Sequence, residues 1–493
     1  MDVAVTRNRS RVASIRDPVQ HIVVVGATGF IGRALVLALL GRGHTITVLA
    51  RAPGRARHSL PAGVEVADLA DDAVARAAIE RADGVVNLAG ESIAGKRWTA
   101  RRKQQLVDSR VEVTRRLVRA IAARGRRLPV LVSASATGWY GDRGDELLDE
   151  HSPRGEGFAA QLCERWERAA EEAAPFAERI CVARLGIVLG RCGGALRPLE
   201  RLFRLGLGGP IAGGAQWVPW IHLDDAVGAL VRMLEDRRFH GPVCVSAPTP
   251  ARQRDFAAAL GVALQRRAVL PAPRLAIRAV LGEAASLVLA SQRVLPRVLA
   301  EAGHAFRFPT LPLALADLFD DGVCLARLTE VPASAGYLRA RRPRYTLATR
   351  TVLDAPLAEV FAFFSSPGNL AALTPPELGF EILGEPPEMG SGTVIDYKIR
   401  VAGSGLRWRT RIEHWDPGAG FVDSQERGPY RAWWHEHRFT EHDGKTIMED
   451  TVHYAPPFGP IGTIANRLVV EPMLRQIFGY RRAAVRQRFM PRA

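Results

Sequence analysis

Two periodicities of apolar and polar positions divide the chain. In the first part, short apolar runs alternate with stretches that carry apolar residues at helical spacing. Such runs predict parallel strands that are buried on both faces. We place these strands at residues 22–25, 45–49, 64–67, 84–88 and 130–135. Strands that alternate with helices predict an α/β domain with a doubly wound parallel sheet.

The second periodicity begins near residue 345. Apolar and polar residues alternate with a period of two along residues 395–401, and the same period returns in residues 433–439. This alternation is typical of strands with one buried face. Residues 470–489 then carry apolar side chains at helical spacing. The pattern predicts an α+β domain in which an antiparallel sheet curls against one long terminal helix.

A glycine-rich turn joins the first strand to the first helix in residues 21–33, HIVVVGATGFIGR. Gly26, Gly29 and Gly32 are spaced G-x-x-G-x-x-G, which differs from the usual G-x-G-x-x-G dinucleotide fingerprint. Glycines here allow a tight turn and the close approach of a pyrophosphate, and the helix start attracts an anion. The turn therefore predicts a dinucleotide site.

The end of the second strand indicates which dinucleotide. An acidic residue there would bind a ribose 2′-hydroxyl, but the chain has Arg51, with Arg55 and Arg57 close behind. Arginine favours a 2′-phosphate, so the predicted cofactor is NADP(H). The alternative is that the glycines only pack a strand against a helix and that Arg51 is one more surface arginine.

The predicted cofactor-binding residues lie at the carboxyl ends of the first strands, where doubly wound sheets bind their ligands. Asp68 would lie beside the adenine, and residues 87–90 would follow the ribose and pyrophosphate. The full set is Gly26, Thr28, Gly29, Phe30, Ile31, Gly32, Arg51, Asp68, Leu69, Asn87, Leu88, Ala89 and Gly90.

Composition narrows the possible partners. The 493 residues carry a formal charge of +16, yet only four of the 67 basic residues are lysines and the arginines are spread along the chain. No stretch resembles a nucleic-acid module, so we predict no nucleic-acid partner, while a weak attraction to anionic membrane surfaces stays open.

The number of cysteines and the length of the apolar runs bear on the cellular location. Five cysteines at irregular spacing suggest neither disulfides nor zinc and fit a reducing cytoplasm. Residues 1–20 are polar and have no apolar core of a signal peptide, so we expect a disordered leader. The apolar stretch at 269–292 is interrupted by charges, and no membrane span is predicted.

Several motifs in order resemble a known family. They are GATGFIG, NLAGESIAGKRW, RRKQQLVDSRVEVTRRLV, SASATGWYG, ARLGIVLGRCGGAL and WIHLDDAV. Together they resemble an atypical branch of the extended short-chain dehydrogenase/reductases, the NAD(P)-dependent epimerase/dehydratase family. Residues 247–318 resemble the small C-terminal domain of unknown function that this branch carries. The resemblance implies a Rossmann fold.

The family's catalytic Tyr-x-x-x-Lys pair is missing. No Y-x-x-x-K occurs in the chain, and Phe158 and Leu162 occupy the two positions. Ser135 remains at the end of the fifth strand, where the family has its hydroxyl partner, and it is our candidate catalytic residue together with Tyr140. The alternatives for an acid or base are Glu91, Glu164 and His222, and for Tyr140 and all three a structural role is the competing interpretation.

The second half resembles another family. SSPGNLAALTPPELGFEIL, FVDSQERGPYRAWWHEHRF and EDTVHYAPPFGPIG resemble the START-like superfamily of polyketide cyclases and lipid-transfer proteins. The resemblance implies a helix-grip domain with a pocket for a small apolar ligand or substrate. His435 and His437 form an H-x-H pair, but no third ligand is evident from the spacing, so we predict hydrogen-bonded or pocket-lining histidines and no metal site.

Two functions remain open. The chain is either an NADP(H)-dependent epimerase/dehydratase-type oxidoreductase coupled to a hydrophobic-ligand domain, or a non-catalytic NADP(H)- and lipid-responsive sensor. The oligomeric state is not predicted. The expected domains are a leader at 1–20, an NADP-binding Rossmann domain at 21–250, a small C-terminal part of that unit at 251–328, a linker at 329–344 and a START-like domain at 345–493.

Overall fold

The computed structural model describes residues 20–191, 193–320, 322–328, 336–401, 404–457 and 461–489. Nearly all of the predicted leader lies outside these residues. So does the first part of the predicted linker, at 329–335.

The first domain is built on a seven-stranded parallel sheet whose order reverses beside its first strand. The strands in chain order are β1 His21–Val25, β2 Thr45–Ala50, β3 Glu65–Asp68, β4 Gly84–Asn87, β5 Leu128–Ala136, β6 Leu147–Leu148, β7 Ala177–Leu185, β8 Ile187–Gly190, β9 Gly193–Gly194, β10 Trp217–Val218, β11 Trp220–His222, β12 Gly241–Val245, β13 Ala251–Arg252, β14 Arg293–Val294 and β15 Val323–Arg327. The sheet has the order β12-β7-β5-β4-β1-β2-β3.

Helices cover both faces of this sheet. They are α1 Phe30–Gly41, α2 Pro53–Arg57, α3 Asp72–Glu80, α4 Ala100–Ala122, α5 Phe158–Glu171, α6 Leu196–Arg204, α7 Leu223–Glu235, α8 Gln253–Ala263, α9 Arg274–Leu281, α10 Ser286–Leu289, α11 Arg297–Glu301 and α12 Leu311–Phe319. Ile22 and Val24 pack with α1 and α7 on one face, whereas Val23 and Val25 pack with α3 and α4 on the other. The predicted doubly wound Rossmann sheet is confirmed.

The second domain is an eight-stranded antiparallel sheet with a long helix across it, as predicted. Its elements are α13 Gly336–Arg341, β16 Tyr345–Leu353, α14 Leu357–Phe364, β17 Glu381–Ile382, β18 Val394–Val401, β19 Ser404–Asp416, β20 Gly420–Arg427, β21 Ala432–His442, β22 Lys445–Ala455, α15 Ile461–Ala465 and α16 Glu471–Arg488. The sheet order is β15-β16-β22-β21-β20-β19-β18-β17.

One strand lies in a different domain from the one that the sequence predicted. Residues 251–328 were assigned to the first unit, but β15 pairs antiparallel with β16 at the edge of the second sheet. Within the predicted linker, residues 336–341 form α13. The pairing of β15 with β16 depends on tertiary structure. A strand this short has too few residues for its hydrophobic pattern to predict that pairing.

The two domains are docked through α16. One part of this helix packs Leu474 and Phe478 onto the aromatic interior of the second sheet. Near its end, Val485 joins a core that also contains Leu37 of α1. A Cβ at Gly41 would lie 1.8 Å from the carbonyl oxygen of Arg488, so glycine is required for this close approach.

Polar contacts support the docking. Gln487 Nε2 donates to Asp224 Oδ1 over 3.2 Å, and Arg486 pairs with Asp317 over 2.6 Å. Elsewhere, the amide of Ala62 donates to Asn369 Oδ1 over 3.1 Å. The second domain therefore contacts the first beside α1 and beside the loop between β2 and β3, and its Glu377 also pairs with Arg197 of α6.

Candidate functional site

A cleft of about 580 Å³ lies at the carboxyl ends of β1, β2 and β4. Its volume is in the range of small-molecule and cofactor sites. Eight of the predicted cofactor-binding residues line it, and they come from the glycine turn, from Arg51 and from the segments after β3 and β4. They are Gly26, Thr28, Gly29, Arg51, Leu69, Leu88, Ala89 and Gly90.

The glycine turn gives the cleft its floor. Gly26 has a φ of +83°, and a Cβ there would lie 2.6 Å from the carbonyl group of Leu88. A Cβ at Gly32 would lie 2.2 Å from the carbonyl oxygen of Gly26, so the helix sits tightly against the turn. No side chain caps the start of α1, and its first turn has no acidic residue. Its amides can therefore bind an anion.

Arginines give the cleft a positive side. Arg33 on α1, Arg51 after β2 and Arg55 on α2 all line it, and Arg51 and Arg55 are exposed. The pKa of Glu91 is lowered mainly by a hydrogen bond from Arg102, with a smaller contribution from the charge of Arg51. This arrangement suits a phosphate group at the end of β2, where the sequence predicts the 2′-phosphate.

Five predicted cofactor-binding residues lie outside the lining. The ring of Phe30 packs on Gly190 and Gly193, and Ile31 and Gly32 are on α1 behind the turn. Asp68 accepts a hydrogen bond from the amide of Ala70, over 2.8 Å. Asn87 is buried, donates to Thr114 over 2.8 Å and accepts from the amide of Ala89 over 3.2 Å. The packing and hydrogen bonds of these residues stabilise the glycine turn and the loop after β4.

The second domain forms one wall of the same cleft. Residues 371–381, which we call the roof segment, supply most of that wall, and Arg400 of β18 completes it. The lining residues are Ala371, Thr374, Pro375, Pro376, Gly379, Phe380, Glu381 and Arg400. Sequence reasoning missed them because the docking of one domain on another follows from surface complementarity and has no signal in either domain's hydrophobic pattern.

The two candidate catalytic residues are buried in a paired network. Ser135 donates to Glu167 Oε1 over 2.5 Å. Arg184 forms a salt bridge with Glu167 over 2.9 Å and donates to the Tyr140 hydroxyl over 3.2 Å. Tyr140 in turn donates to the carbonyl oxygen of Asp149 over 2.8 Å. All of these side chains are at most 5% exposed.

Burial also changes the acidity of this network. It raises the pKa of Tyr140 far above its usual value, with a further increase from the neighbouring Cys244 thiol. A phenolate base near neutral pH needs the opposite shift. The contacts of Ser135 and Tyr140 thus favour a structural role for both.

The alternative acid–base candidates are also engaged in structural contacts. Glu91 pairs with Arg102, and Glu164 pairs with Arg168 over 2.8 Å on the surface of α5. His222 caps α7 by accepting from the amide of Asp224 over 3.1 Å.

The two positions of the missing Tyr-Lys pair lie in an apolar cluster. Phe158 stacks edge-on against Trp98 at 5.0 Å, and Leu162 is 2% exposed. No titratable group stands at either position. The usual route for proton transfer in this fold is therefore absent here.

Aromatic residues inside the second domain contact one another. Tyr397 stacks on Trp408 at 5.9 Å, and Trp408 meets Trp433 edge-on at 5.3 Å. Phe380 of the roof segment lies 5.0 Å from Tyr397, so this ring cluster extends to the cleft.

Comparison with known families separates the chain into three parts. Residues 22–243 match the family described as NAD dependent epimerase/dehydratase, and residues 272–318 match a domain of unknown function. Residues 353–478 match the family described as polyketide cyclase/dehydrase and lipid transport. Among the described residues, every helix is too short or too polar to span a bilayer.

Relatives of the first part have been described in several organisms. The chloroplastic SDR39U1 homologue of Arabidopsis thaliana, an epimerase family protein, is 37% identical over 309 residues, which are 62% of this chain and 88% of that protein. An epimerase family protein of Mycobacterium bovis is 38% identical and covers 60% of this chain and 96% of its own length. The crystal structure of human SDR39U1 (isoform 2) with NADPH is 35% identical, with a TM-score of 0.55, and covers 61% of this chain and 99% of that one.

Proposed function

Because the chain belongs to the NAD dependent epimerase/dehydratase family, we propose that it binds NADP(H) in the cleft between its two domains and responds to it. In this proposal the C-terminal polyketide cyclase/lipid-transport domain is part of the cofactor site. The observation that carries the proposal is that the roof segment and Arg400 line the same cleft as the glycine turn and Arg51.

The residues present fit the cofactor. The turn at Gly26 and Gly29 and the uncapped start of α1 offer backbone amides to a pyrophosphate. Arg51 and Arg55 offer two guanidinium groups to a 2′-phosphate. A bound nicotinamide would supply hydride transfer. The human relative, which is 35% identical, was crystallised with NADPH, and this supports the choice of cofactor.

The position of the second domain favours a responsive role over substrate delivery. Its hydrogen bond with Ala62 and most of its contacts with the cleft are on the β2 and β3 side of the sheet, while Glu377 of the roof segment also pairs with Arg197 of α6. In dinucleotide-binding sheets the β2 and β3 side is the side of the adenosine ribose. A domain that presented a substrate to the nicotinamide would be expected at the β5 side, where the polar groups around Ser135 are buried and paired.

The ring cluster offers a physical connection between cleft and domain interior. Phe380 lines the cleft and contacts Tyr397, which leads through Trp408 to Trp433. If an apolar ligand repacks these rings, it changes the roof segment and hence the affinity for NADP(H). Thermodynamic linkage then requires the cofactor to change the affinity for the apolar ligand by the same factor.

The first test is a titration of the full chain with NADPH and with NADH by isothermal calorimetry. Loss of a charge-assisted hydrogen bond costs about 1.5–3 kcal/mol, so Arg51→Ala should weaken NADPH binding by roughly 10- to 150-fold and leave NADH binding unchanged. Arg400→Ala should weaken NADPH binding, whereas Arg407→Ala, an exposed arginine on β19 outside the cleft, should not. No saturable binding of either nucleotide to the wild type would overturn the proposal.

A second candidate function is an oxidoreductase acting on an apolar carbonyl compound. It is favoured by the extension of the cleft along Leu88, Ala89 and Gly90 to the end of β4, the strand beside β5. NADPH oxidation with a panel of long-chain aldehydes and ketones distinguishes the two functions. Turnover that Arg51→Ala reduces would select the enzyme, and tight NADPH binding without turnover would select the responsive protein.

A further inference from the structure

The second domain contains a buried cluster of titratable side chains that the cofactor site does not use. His435 and His437 on β21 point from one face of the strand into the interior, and Asp423 on β20 is the register partner of His435. Asp450 on β22 and Arg481 on α16 complete the cluster. Apart from Asp423, whose side chain is 14% exposed, all are at least nine-tenths buried.

On one side of the cluster, possible ligand atoms lie at distances that suit a metal site. Asp423 Oδ2 lies 3.4 Å from His435 Nδ1 and 3.1 Å from His437 Nε2, and the three ligand atoms are within 4.8 Å of one another. A tetrahedral ion with bonds of about 2.0–2.1 Å places neighbouring ligand atoms roughly 3.3–3.4 Å apart. The two distances to Asp423 match this spacing, and the two ring nitrogens lie within 4.8 Å of each other.

The opposite side supplies the support that metal-bound histidines have. The other ring nitrogens face Asp450 Oδ1, at 3.3 Å from His435 Nε2 and 2.7 Å from His437 Nδ1. A carboxylate behind a metal-bound imidazole fixes the ring's orientation and tautomer. Asp450 is held in turn by Thr349, whose hydroxyl donates to its Oδ2 over 3.3 Å.

The charged groups of the cluster favour an ion on the Asp423 side. Arg481 Nη2 lies 3.7 Å from Asp450 Oδ1 and 3.3 Å from His437 Nδ1, so the guanidinium group occupies the Asp450 side. A second cation is repelled there and attracted to Asp423. With both imidazoles neutral, two carboxylates and one guanidinium leave a net charge of −1 in a buried region, and this negative charge favours the binding of a cation.

One buried atom has no hydrogen bond in the present arrangement. His435 Nε2 lies 3.3 Å from Asp450 Oδ1 but out of hydrogen-bond geometry, and it has no other hydrogen-bond partner among the described residues, whereas Asp450 Oδ1 lies 2.7 Å from His437 Nδ1. A buried polar atom without a partner is destabilising. Rotation of the His435 ring onto a metal ion would aim its Nε2–H at Asp450 and satisfy this atom.

We propose that Asp423, His435 and His437 bind a divalent transition-metal ion in the second domain, since two imidazoles and one carboxylate suit both Zn²⁺ and Fe²⁺. Three protein ligands leave a coordination position open, as in catalytic rather than structural zinc sites. Asp423 is the most exposed member of the cluster and marks the approach for the ion. Phe421, stacked on His437 at 4.1 Å, shields the site on one flank.

The test measures metal directly on the full-length protein. Protein purified without metal-affinity resin is analysed by mass spectrometry for bound metals, stripped with a chelator, and titrated with Zn²⁺ and with Co²⁺, whose visible absorption reports tetrahedral coordination. The expected result is one equivalent of metal, a rise in melting temperature, and the absorption of a tetrahedral Co²⁺ site.

Matched variants identify the ligands. Asp423→Asn and His437→Gln keep the shape of each side chain and should weaken Zn²⁺ binding by more than 100-fold, while Asp450→Asn should weaken it by roughly 10- to 100-fold. His453→Gln replaces a buried histidine on the neighbouring strand β22 and should leave the affinity unchanged. Absence of saturable binding to the wild type, or equal binding by wild type and Asp423→Asn, overturns the proposal.

Discussion

The two halves of the carboxyl edge of the first sheet differ in how their polar groups are used. Beside β1, β2 and β4, glycine backbone and exposed arginines face an open cleft. Beside β5 and β7, Ser135, Tyr140, Glu167 and Arg184 are buried and hydrogen-bonded to one another. The first half, which we call the open half, offers donors to a ligand, whereas the four named side chains of the second, the closed half, are engaged with one another.

This difference separates two properties that often occur together on this fold. Nucleotide binding depends on backbone amides and a few cations, which the chain retains. Proton transfer depends on a titratable group with a shifted pKa at the reacting centre, and here the pKa of Tyr140 moves away from neutrality. Nucleotide binding and proton transfer therefore depend on different groups of a Rossmann domain, since function lies in the site and not in the fold.

The largest effect should come from breaking the closed half. Glu167→Ala leaves Arg184 as an uncompensated buried charge, because the two side chains are each 5% exposed and form a salt bridge of 2.9 Å. We expect a loss of about 3–5 kcal/mol in the free energy of unfolding, measured with urea. Glu164→Ala, which breaks a surface pair on the same helix, should cost less than about 1 kcal/mol. Similar losses for both variants would contradict a structural network around Ser135.

In the open half, Gly26→Ala should disrupt the glycine turn. The backbone at Gly26 has a φ of +83°, and the added Cβ would collide with the carbonyl group of Leu88 at 2.6 Å. NADPH affinity, measured by calorimetry, should fall at least tenfold, which corresponds to about 1.4 kcal/mol. Gly43→Ala is the matched control, since Gly43 has a φ of +85° with nothing within 4 Å of its Cβ position. It shares the backbone strain and should bind NADPH normally.

A third change tests whether the open half needs the second domain. Gly41→Ala places a methyl group 1.8 Å from the carbonyl oxygen of Arg488, so α16 must move away from α1. Overpacking of this kind costs about 1–3 kcal/mol, which thermal unfolding should show. If the roof segment contributes to cofactor binding, NADPH affinity falls as well, and an unchanged affinity would confine the cofactor site to the first domain.

The smallest effect is expected at the position of the missing catalytic tyrosine. Phe158→Tyr restores the tyrosine, but Leu162 still provides no lysine to lower the pKa of its hydroxyl. We expect no gain in NADPH oxidation with the aldehyde and ketone panel and a change in stability below about 0.5 kcal/mol. A clear gain in turnover would show that the chemistry of this half had been lost through a single residue.

Local patterns predicted the parts of the molecule that depend on local sequence. The strand and helix around the glycine turn follow from apolar periodicity and glycine spacing, and the observed bounds of the five strands predicted in the first domain differ from the predicted ones by at most two residues. Arg51 was predicted to face the nucleotide because it follows a strand that ends at the ligand edge, and it lines the cleft.

Other parts required contacts between distant segments. The H-x-H pair was visible in the sequence, but its third neighbour, Asp423, is brought opposite His435 only by the register of β20 against β21. The burial of Ser135 depends on Glu167 and Arg184 from two other elements. The roof segment reaches the cleft only after the domains dock. Linear spacing contains none of these relations.

The contact between α1 and α16 has a consequence for biosynthesis. Leu37 on α1 belongs to a core that Val485 and Phe489 complete, although most of the chain separates them. Ribosomes add about 5–20 residues per second, so the nascent first domain waits roughly tens of seconds for its last covering helix. A ribosome that stalled before α16 would release a cofactor domain with an apolar stripe exposed to other chains.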